Sequence, residues 1–181
     1  MTLRPRLPGR GRGGACRRAA SRQPSIVAGL CTRTEAEGIP AREACLALVP
    51  AIVTEPDGSL LIADGLRVRR VDATSGRIST VAGNGDPACT PGTGERGPAR
   101  DACIETGDIA LDGAGNLFIS SGARVWRVDR TTQTISTVAG DGSTFCQHPV
   151  ADGQLATTGC LREIYAIAAD AGGDSSSRAS A

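Results

Sequence analysis

The chain contains no lysine, because all 20 of its basic residues are arginine. Selection for guanidinium forks would not remove lysine from every solvated position, so a coding bias explains the pattern better. That bias lowers the value of any single arginine as a functional clue. Aromatic residues are scarce, at 2%, and there is one histidine. We therefore expect a core of Val, Ile, Leu and Ala, and no histidine-based metal or triad chemistry.

Long apolar runs are also missing. The sequence has no run of 18 or more apolar residues, so it predicts no transmembrane helix. No apolar segment follows the basic N-terminus, so no signal peptide is visible. The net charge of +1 conceals an uneven distribution. Seven arginines and no acid lie in residues 1–24, which leaves 13 arginines against 19 acids, a balance of −6, for the rest. That remainder does not predict a nucleic-acid partner.

Residues 1–24 are rich in Arg, Gly, Pro and Ala and show no periodicity. They are predicted to be a disordered leader, and residues 175–181 a disordered tail. A basic arm for nucleic acid or anionic lipid is the functional alternative. A flexible leader or a misplaced start codon is the plainer one.

A repeated hexapeptide organises the remaining sequence. Ile78–Gly83 reads Ile-Ser-Thr-Val-Ala-Gly and returns unchanged as Ile135–Gly140, 57 residues later, with a shorter echo at Ser25–Gly29. Around each copy, four runs of four to six apolar or alternating residues are bounded by Gly, Pro or Asp, which is typical of an antiparallel meander. The predicted strands are 51–55, 60–63, 67–72 and 78–82 in the first copy, and 108–112, 117–120, 124–129 and 135–139 in the second.

One four-stranded sheet cannot bury both of its faces alone, so the repetition predicts an all-β fold, an incomplete β-propeller. A third copy begins at Ile164–Ala168 and its turn at Asp170–Asp174, but Ser175 to Arg178 replaces the next apolar run. The array is therefore interpreted as truncated or frameshifted. The predicted units are a closing strand at 25–29, blades at 51–83 and 108–140, and the start of a blade at 164–174, together spanning 25–174.

Seven cysteines occur, and six form pairs with a constant spacing of 14 inside loops of variable length. A constant spacing in a variable loop predicts that the two members touch, as disulfides. Zinc is the alternative, but it needs four ligands, usually at closer spacing. The predicted pairs are Cys31–Cys45, Cys89–Cys103 and Cys146–Cys160, and Cys16 has no assignment. Disulfides indicate an extracellular or periplasmic location, which conflicts with the lack of a visible signal peptide unless the true N-terminus lies upstream of this sequence.

The hexapeptide, the run Gly107–Ser120 and the run Arg124–Asp129 together resemble NHL repeats. They are most similar to the long-loop form of teneurin-type NHL propellers and their bacterial relatives, whose loop resembles Gly94–Ala102. The resemblance covers about residues 25–174. The Asn-His-Leu signature is absent, and the array is short of the six blades that are usual in that family. The resemblance implies a propeller, but its members include protein-binding, RNA-binding, sensor and lyase proteins, so it does not settle activity.

Several residues are candidates for a site. Arg67, Arg70, Arg124 and Arg127 recur at matched positions and could form a ligand-binding ring, or could be solvated partners of Asp72 and Asp129. Trp126 could be an interaction hot spot, but its counterpart is Arg69, which predicts partial exposure.

Other polar residues have plainer interpretations. Turn hydrogen bonds explain Asp57, Asp112 and Asp170 better than calcium does. Glu105 and Asp108 lie at the start of an inner strand, but their counterparts Ala47 and Pro50 are apolar, so no ring of acids is predicted. His148 has no histidine partner. The hydroxyls Ser79, Thr80, Ser136 and Thr137 are expected only to be solvated.

These observations predict a non-catalytic module without cofactor or metal, which binds protein or glycan and not nucleic acid. Self-association through open propeller edges is a further expectation. The alternative is a fragment of a propeller lyase or hydrolase, or of the sensor domain of a larger receptor or kinase. A catalytic site in missing blades, and a fragment without function of its own, remain open.

Overall fold

The computed structural model describes residues 25–31, 37–143, 145–146 and 152–170. The predicted leader and tail, Cys16 and His148 lie outside these residues. Within them the fold is all-β, with three single-turn 3-10 helices at Ala41–Glu43, Ala99–Asp101 and Ala156–Thr158. This part of the chain has no helix with the length and apolar character needed to cross a membrane.

Eight strands form two four-stranded antiparallel sheets, each in simple meander order. Sheet 1 contains β1 to β4 and sheet 2 contains β5 to β8. All eight lie where the repeat predicts them, with ends shifted by at most one residue. The strands are β1 (Ile52–Thr54), β2 (Leu60–Asp64), β3 (Arg67–Val71), β4 (Ile78–Ala82), β5 (Ile109–Leu111), β6 (Leu117–Ser121), β7 (Arg124–Val128) and β8 (Ile135–Ala139).

The local sequence explains the hairpins. Gly65 and Gly122 occupy the β2–β3 and β6–β7 turns with φ of 62° and 56°, a conformation that glycine adopts without steric cost. Both sheets also contain the same irregularity, a register shift between Val68 and Arg69 in β3 and its counterpart in β7. The repetition of this β-bulge shows that the two sheets share backbone geometry as well as sequence.

The two sheets pack against each other over one apolar core. Leu61, Ala63 and Val68 of sheet 1 meet Ile119 and Trp126 of sheet 2 there. The third-strand valines Val68, Val71, Val125 and Val128 are all buried, Val68 in this core and Val71 on the other face of sheet 1. The opposite face of sheet 1 has a smaller cluster around Ile62, Val71 and Ile78, covered by the loop that precedes the sheet.

The long loops have a role that the sequence did not reveal. The loop before each sheet first runs along the last strand of that same sheet, and only then enters its first strand. We call Glu37–Pro40 and Glu95–Pro98 the edge segments. In sheet 1, Gly38 N donates to the carbonyl of Ile78 at 2.8 Å and Ile78 N donates to that of Ile39 at 3.0 Å. Arg96, Gly97 and Ile135 repeat these bonds in sheet 2.

The single strands predicted at both ends of the array are not assigned as strands. The backbone of the first segment nevertheless follows the repeat. Gly29 N donates to the carbonyl of Ala41, as Gly83 N does to that of Ala99. Ile167 N donates to the carboxylate of Asp108, and Gly113 N to the carbonyl of Asp170. No strand is formed because a ladder needs neighbouring strands, and the described residues supply none for these two segments.

Candidate functional site

The four recurring arginines have two roles, and both are structural. Arg67 donates to the carbonyl of Asn84 at 3.2 Å, and Arg124 donates to that of Asp141 at 2.7 Å. Each guanidinium therefore fixes the loop that leaves the closing strand of its sheet. Both side chains are half-buried, not outward and solvated as one interpretation predicted. No ligand-binding ring is needed to explain their recurrence.

Arg70 and Arg127 make the ion pairs predicted for them, with Asp72 at 3.0 Å and with Asp129 at 3.1 Å. Arg70 also binds Glu55 and Asp57. Burial alone would lower the pKa of Arg70, but the hydrogen bonds and charges of these carboxylates raise it above its ordinary value. The network ties strand β3 to the β1–β2 turn.

The turn aspartates act as predicted where the structure describes them. Asp57 accepts from Ser59 N at 2.8 Å, and Asp112 accepts from the backbone of Ala114 at 3.0 Å and of Asn116 at 2.8 Å. Burial opposes the effect at Asp112, yet the hydrogen bond from the Asn116 side chain and these backbone bonds lower its pKa overall. The turn after Asp170 lies outside the described residues.

The hydroxyls of the closing strands are not merely solvated, and here the prediction was wrong for Thr80. Thr80 is buried, and its N and Oγ1 both donate to the carboxylate of Glu37, at 2.8 and 2.6 Å. Thr137 and Glu95 repeat this arrangement. Burial alone would raise the pKa of Glu37, but the bonds from Thr80 and the charge of Arg69 lower it overall.

The prediction that Trp126 is partly exposed was also wrong. Trp126 is 1% exposed and packs between the sheets, with the guanidinium carbon of Arg124 5.9 Å from the ring centroid. Its counterpart Arg69 is equally buried, at 2%, and its charge is met by Glu37 at 3.3 Å. A polar counterpart therefore did not indicate an exposed position, because Arg69 has an ion pair to satisfy it.

Arg69, which stands where sheet 2 has Trp126, lines an open cleft at the β2–β3 end of sheet 1. The cleft has a volume of about 270 Å³, and we call it the Arg67 cleft. Its lining combines apolar and oppositely charged side chains: Cys45, Leu46, Ala47, Asp64, Leu66, Arg67, Arg69 and Gly85. Sequence reasoning missed it because the residues come from three separate segments.

Asp64 and Arg67 face each other across the β2–β3 hairpin, since they are paired in the ladder. Each is bound to backbone of another segment rather than to the other. Asp64 Oδ1 accepts from Ala47 N at 2.6 Å, and Arg67 donates to the carbonyl of Asn84. Asp64 is 8% exposed. The cleft thus has a fixed anion on one side and a fixed cation on the other.

The acids considered for a catalytic channel do not converge. Glu105 is exposed, whereas Asp108 accepts from Ile167 N at 2.9 Å and therefore serves the backbone. Hydrogen bonding also matches Asp108 to Ala51, because the carbonyls of these two residues accept from Ser120 N and Ala63 N. Pro50 is therefore not its counterpart. Among the described residues, no group of three or more His, Cys, Asp or Glu side chains could hold a metal ion.

Three cysteine pairs lie at disulfide-bonding distance, each with a sequence separation of 14. They are the pairs that the constant spacing predicts. Cys89–Cys103 closes the loop between sheet 1 and the first strand of sheet 2, and Cys31–Cys45 closes the loop before sheet 1. The clamps act within loops and do not join one sheet to the other.

The fold and the cysteine pairs define an all-β repeat protein with clamped loops. Comparison with known proteins does not narrow this class. No protein-family model matches the chain, and no curated protein matches it. A structural genomics protein of unknown function from Bacteroides thetaiotaomicron VPI-5482, solved at 1.70 Å resolution, is similar in structure, with a TM-score of 0.48. The two are 18% identical, and the match covers 65% of this chain and 29% of that one.

Proposed function

We propose that this chain supplies sheets to an NHL-type β-propeller that acts as a non-catalytic binding module for protein or glycan, outside the reducing cytosol. The observation that supports it is the use of the recurring polar side chains. Arg67 and Arg124 bind loop carbonyls, and Glu37 and Glu95 cap strands. The repeated positions build a scaffold, and specificity is left to positions that differ between copies.

The loops are the natural place for recognition, because they carry the positions that vary while the sheets hold them in place. The loop that contains Cys89 is exposed over Asp86–Ala88 and at Thr90, Pro91 and Thr93. A cystine at Cys89–Cys103 restrains this loop without any strand to hold it. Three such clamps favour an extracellular or periplasmic location.

Mass mapping of unreduced proteolytic peptides tests the clamps. We expect Cys89 joined to Cys103, and joining to Cys45 or Cys146 would contradict the loop arrangement. Binding is tested on glycan and secreted-protein arrays, with the double variant C89S/C103S as the matched control. We expect binding that the double variant loses while it keeps the far-ultraviolet circular dichroism of a β protein. Binding that survives loss of the clamp would show that the loop is not the recognition element.

A further inference from the structure

The Arg67 cleft is a feature of sheet 1, and two of its three charged lining residues, Asp64 and Arg69, are not repeated in sheet 2. Asp64 corresponds to Ser121, which makes the same bond to the loop through its hydroxyl, since Glu105 N donates to Ser121 Oγ at 3.0 Å. Arg69 corresponds to Trp126. The scaffold therefore does not need the carboxylate at Asp64 or the guanidinium at Arg69, and their presence requires another reason.

Charge decides what kind of ligand the cleft suits. Arg69 is balanced by Glu37, at 3.3 Å, from outside the cleft. Asp64 and Arg67 then leave one negative and one positive charge in the lining, so the cleft has no net charge. A simple anion would be attracted by Arg67 but repelled by Asp64, and a simple cation the reverse. A molecule that carries both charges meets a partner for each.

Geometry limits the size and character of that molecule. Residues opposite each other in an antiparallel ladder have Cβ atoms about 5 Å apart, so the two charged side chains address neighbouring groups of one small ligand. Leu46, Ala47 and Leu66 supply apolar surface in the same cleft. The volume of about 270 Å³ suits a small molecule.

We propose that the Arg67 cleft binds a zwitterion with an apolar substituent, the chemistry of an apolar α-amino acid. The ligand's carboxylate pairs with the guanidinium of Arg67, and its ammonium pairs with the carboxylate of Asp64. Its side chain lies against Leu46, Ala47 and Leu66. This inference rests on the cleft alone and does not depend on what the loops bind.

Titration of the isotope-labelled protein with L-leucine, followed by amide chemical shifts, tests the proposal. We expect saturable shifts at Leu46, Ala47 and Gly85. The carboxylate 4-methylpentanoate and the amine 3-methylbutylamine, which each lack one charge, should bind about tenfold more weakly. The absence of saturable shifts at these amides would overturn the proposal, as would equal binding of all three compounds.

Variants of Asp64 and Arg67 test which charged group of the ligand each residue binds. Asp64→Asn keeps the acceptor for Ala47 N, so the fold is expected to persist while leucine loses its advantage over 4-methylpentanoate. Arg67→Gln should remove the advantage over the amine. Arg124→Gln, at the matched position of sheet 2, is the control and should leave leucine binding unchanged. Leucine binding weakened equally by Arg124→Gln would show a general effect on folding and would reject the site. If Arg67→Gln fails to fold, Asp64→Asn alone decides.

Discussion

Residues in the left-handed region show where this sequence departs from its own repeat. Arg96 has φ of 61°, whereas its counterparts Gly38 and Gly153 are glycines with φ of 69° and 84°. A side chain in this conformation costs about 1 kcal/mol relative to glycine. Arg96 therefore carries local strain that the other copies avoid.

We expect Arg96→Gly to stabilise the protein by about 0.5 kcal/mol, because relief of that strain exceeds the added freedom of the unfolded chain. The control is Arg100→Gly, in the 3-10 turn of the same loop, which should destabilise by about 1 kcal/mol. Chemical denaturation measures both. A loss of stability in Arg96→Gly would mean that the arginine side chain makes a contact worth more than the strain.

The last glycine of the repeated hexapeptide is required for a different reason. Gly140 has φ of 84°, and a Cβ there would lie far inside the van der Waals contact distance from the Ala123 carbonyl oxygen. Gly83 meets the carbonyl of Leu66 in the same way. The close approach of two backbone segments fixes glycine at this place.

Gly140→Ala should cost about 3 kcal/mol of unfolding free energy, from backbone strain and displacement of the neighbouring strand. Gly122→Ala isolates the strain alone, because Gly122 has a similar φ but no atom near its Cβ position, and about 1 kcal/mol is expected. Thermal or urea unfolding gives the comparison. Equal costs would show that the close contact relaxes freely.

Titration of Asp72 should make the stability of the protein depend on pH. Hydrogen bonds from the backbone and hydroxyl of Ser75, and then the bond from Arg70, lower its pKa to about 2 from an ordinary 3.8. A depressed carboxyl pKa contributes stability that is present above the unfolded-state value and is lost as pH falls toward the folded-state value. The contribution of Asp72 should therefore disappear between about pH 4 and pH 2.

Urea midpoints measured across that interval should fall in the parent protein. The fall should be smaller in Asp72→Asn, which keeps an amide oxygen for the turn but cannot titrate. Asp101→Asn, at an exposed position in a 3-10 turn, is the control and should keep the parent's slope. An unchanged slope in Asp72→Asn would show that other carboxyls dominate the acid response.

At the scale of elements, each sheet covers its outer edge with the segment that precedes it. An uncovered edge strand is a template for association, and the carboxylates of Glu37 and Glu95 close it by accepting the N–H groups of Thr80 and Thr137. The two caps differ in one respect. Glu37 also neutralises the buried Arg69, while Trp126 stands at that position in sheet 2.

This difference gives a matched pair of variants. Glu95→Ala should cost about 1 kcal/mol, the worth of its hydrogen bonds at an exposed position. Glu37→Ala should cost about 2 kcal/mol more, because the buried guanidinium also loses its ion-pair partner, Glu37 itself being half exposed. Unfolding of the two variants in urea provides the test. Equal losses of stability in the two variants would show that the ion pair between Glu37 and Arg69 does not contribute to stability.

Strands could be predicted from the sequence because their signals are local. Alternation, bounding glycines and the repeat placed all eight within one residue at each end. The edge caps could not be predicted in this way, because Glu37 and Thr80 lie 43 residues apart in sequence. A signal existed, since Glu37 and Glu95 each lie three residues before a proline. The burial of Arg69 was missed because its partner Glu37 comes from a loop, and that of Trp126 because it packs against the other sheet.

For the whole molecule, the two ends of the array are not equivalent. Ile52 in β1 is 58% exposed, while its counterpart Ile109 is 5% exposed because sheet 1 covers it. The face of sheet 1 that carries Ile52 therefore exposes apolar surface, whereas the equivalent face of sheet 2 is buried. Nearby Leu48 is 69% exposed and adds to it.

We expect the chain to associate as its concentration rises, through this face, and Ile52→Ser to reduce the association. Contacts of this head-to-tail kind do not close by twofold symmetry, so a range of sizes is expected rather than one dimer. Sedimentation velocity measures the distribution, and Leu155→Ser, an exposed leucine in a loop, is the control. A single species at all concentrations would reject this expectation.

The edge segment also determines how much sequence a gene duplication has to copy to produce a complete sheet. A gene duplication that copied only 51–83 would produce a sheet with a bare outer strand and no acceptor for Thr80 N. A duplication that copied from Glu37 through Gly83 would carry the cap, the second cysteine of the clamp and all four strands together. That copy would still lack the first cysteine of its clamp, Cys31, so a unit that carries its whole clamp has to begin at or before Cys31.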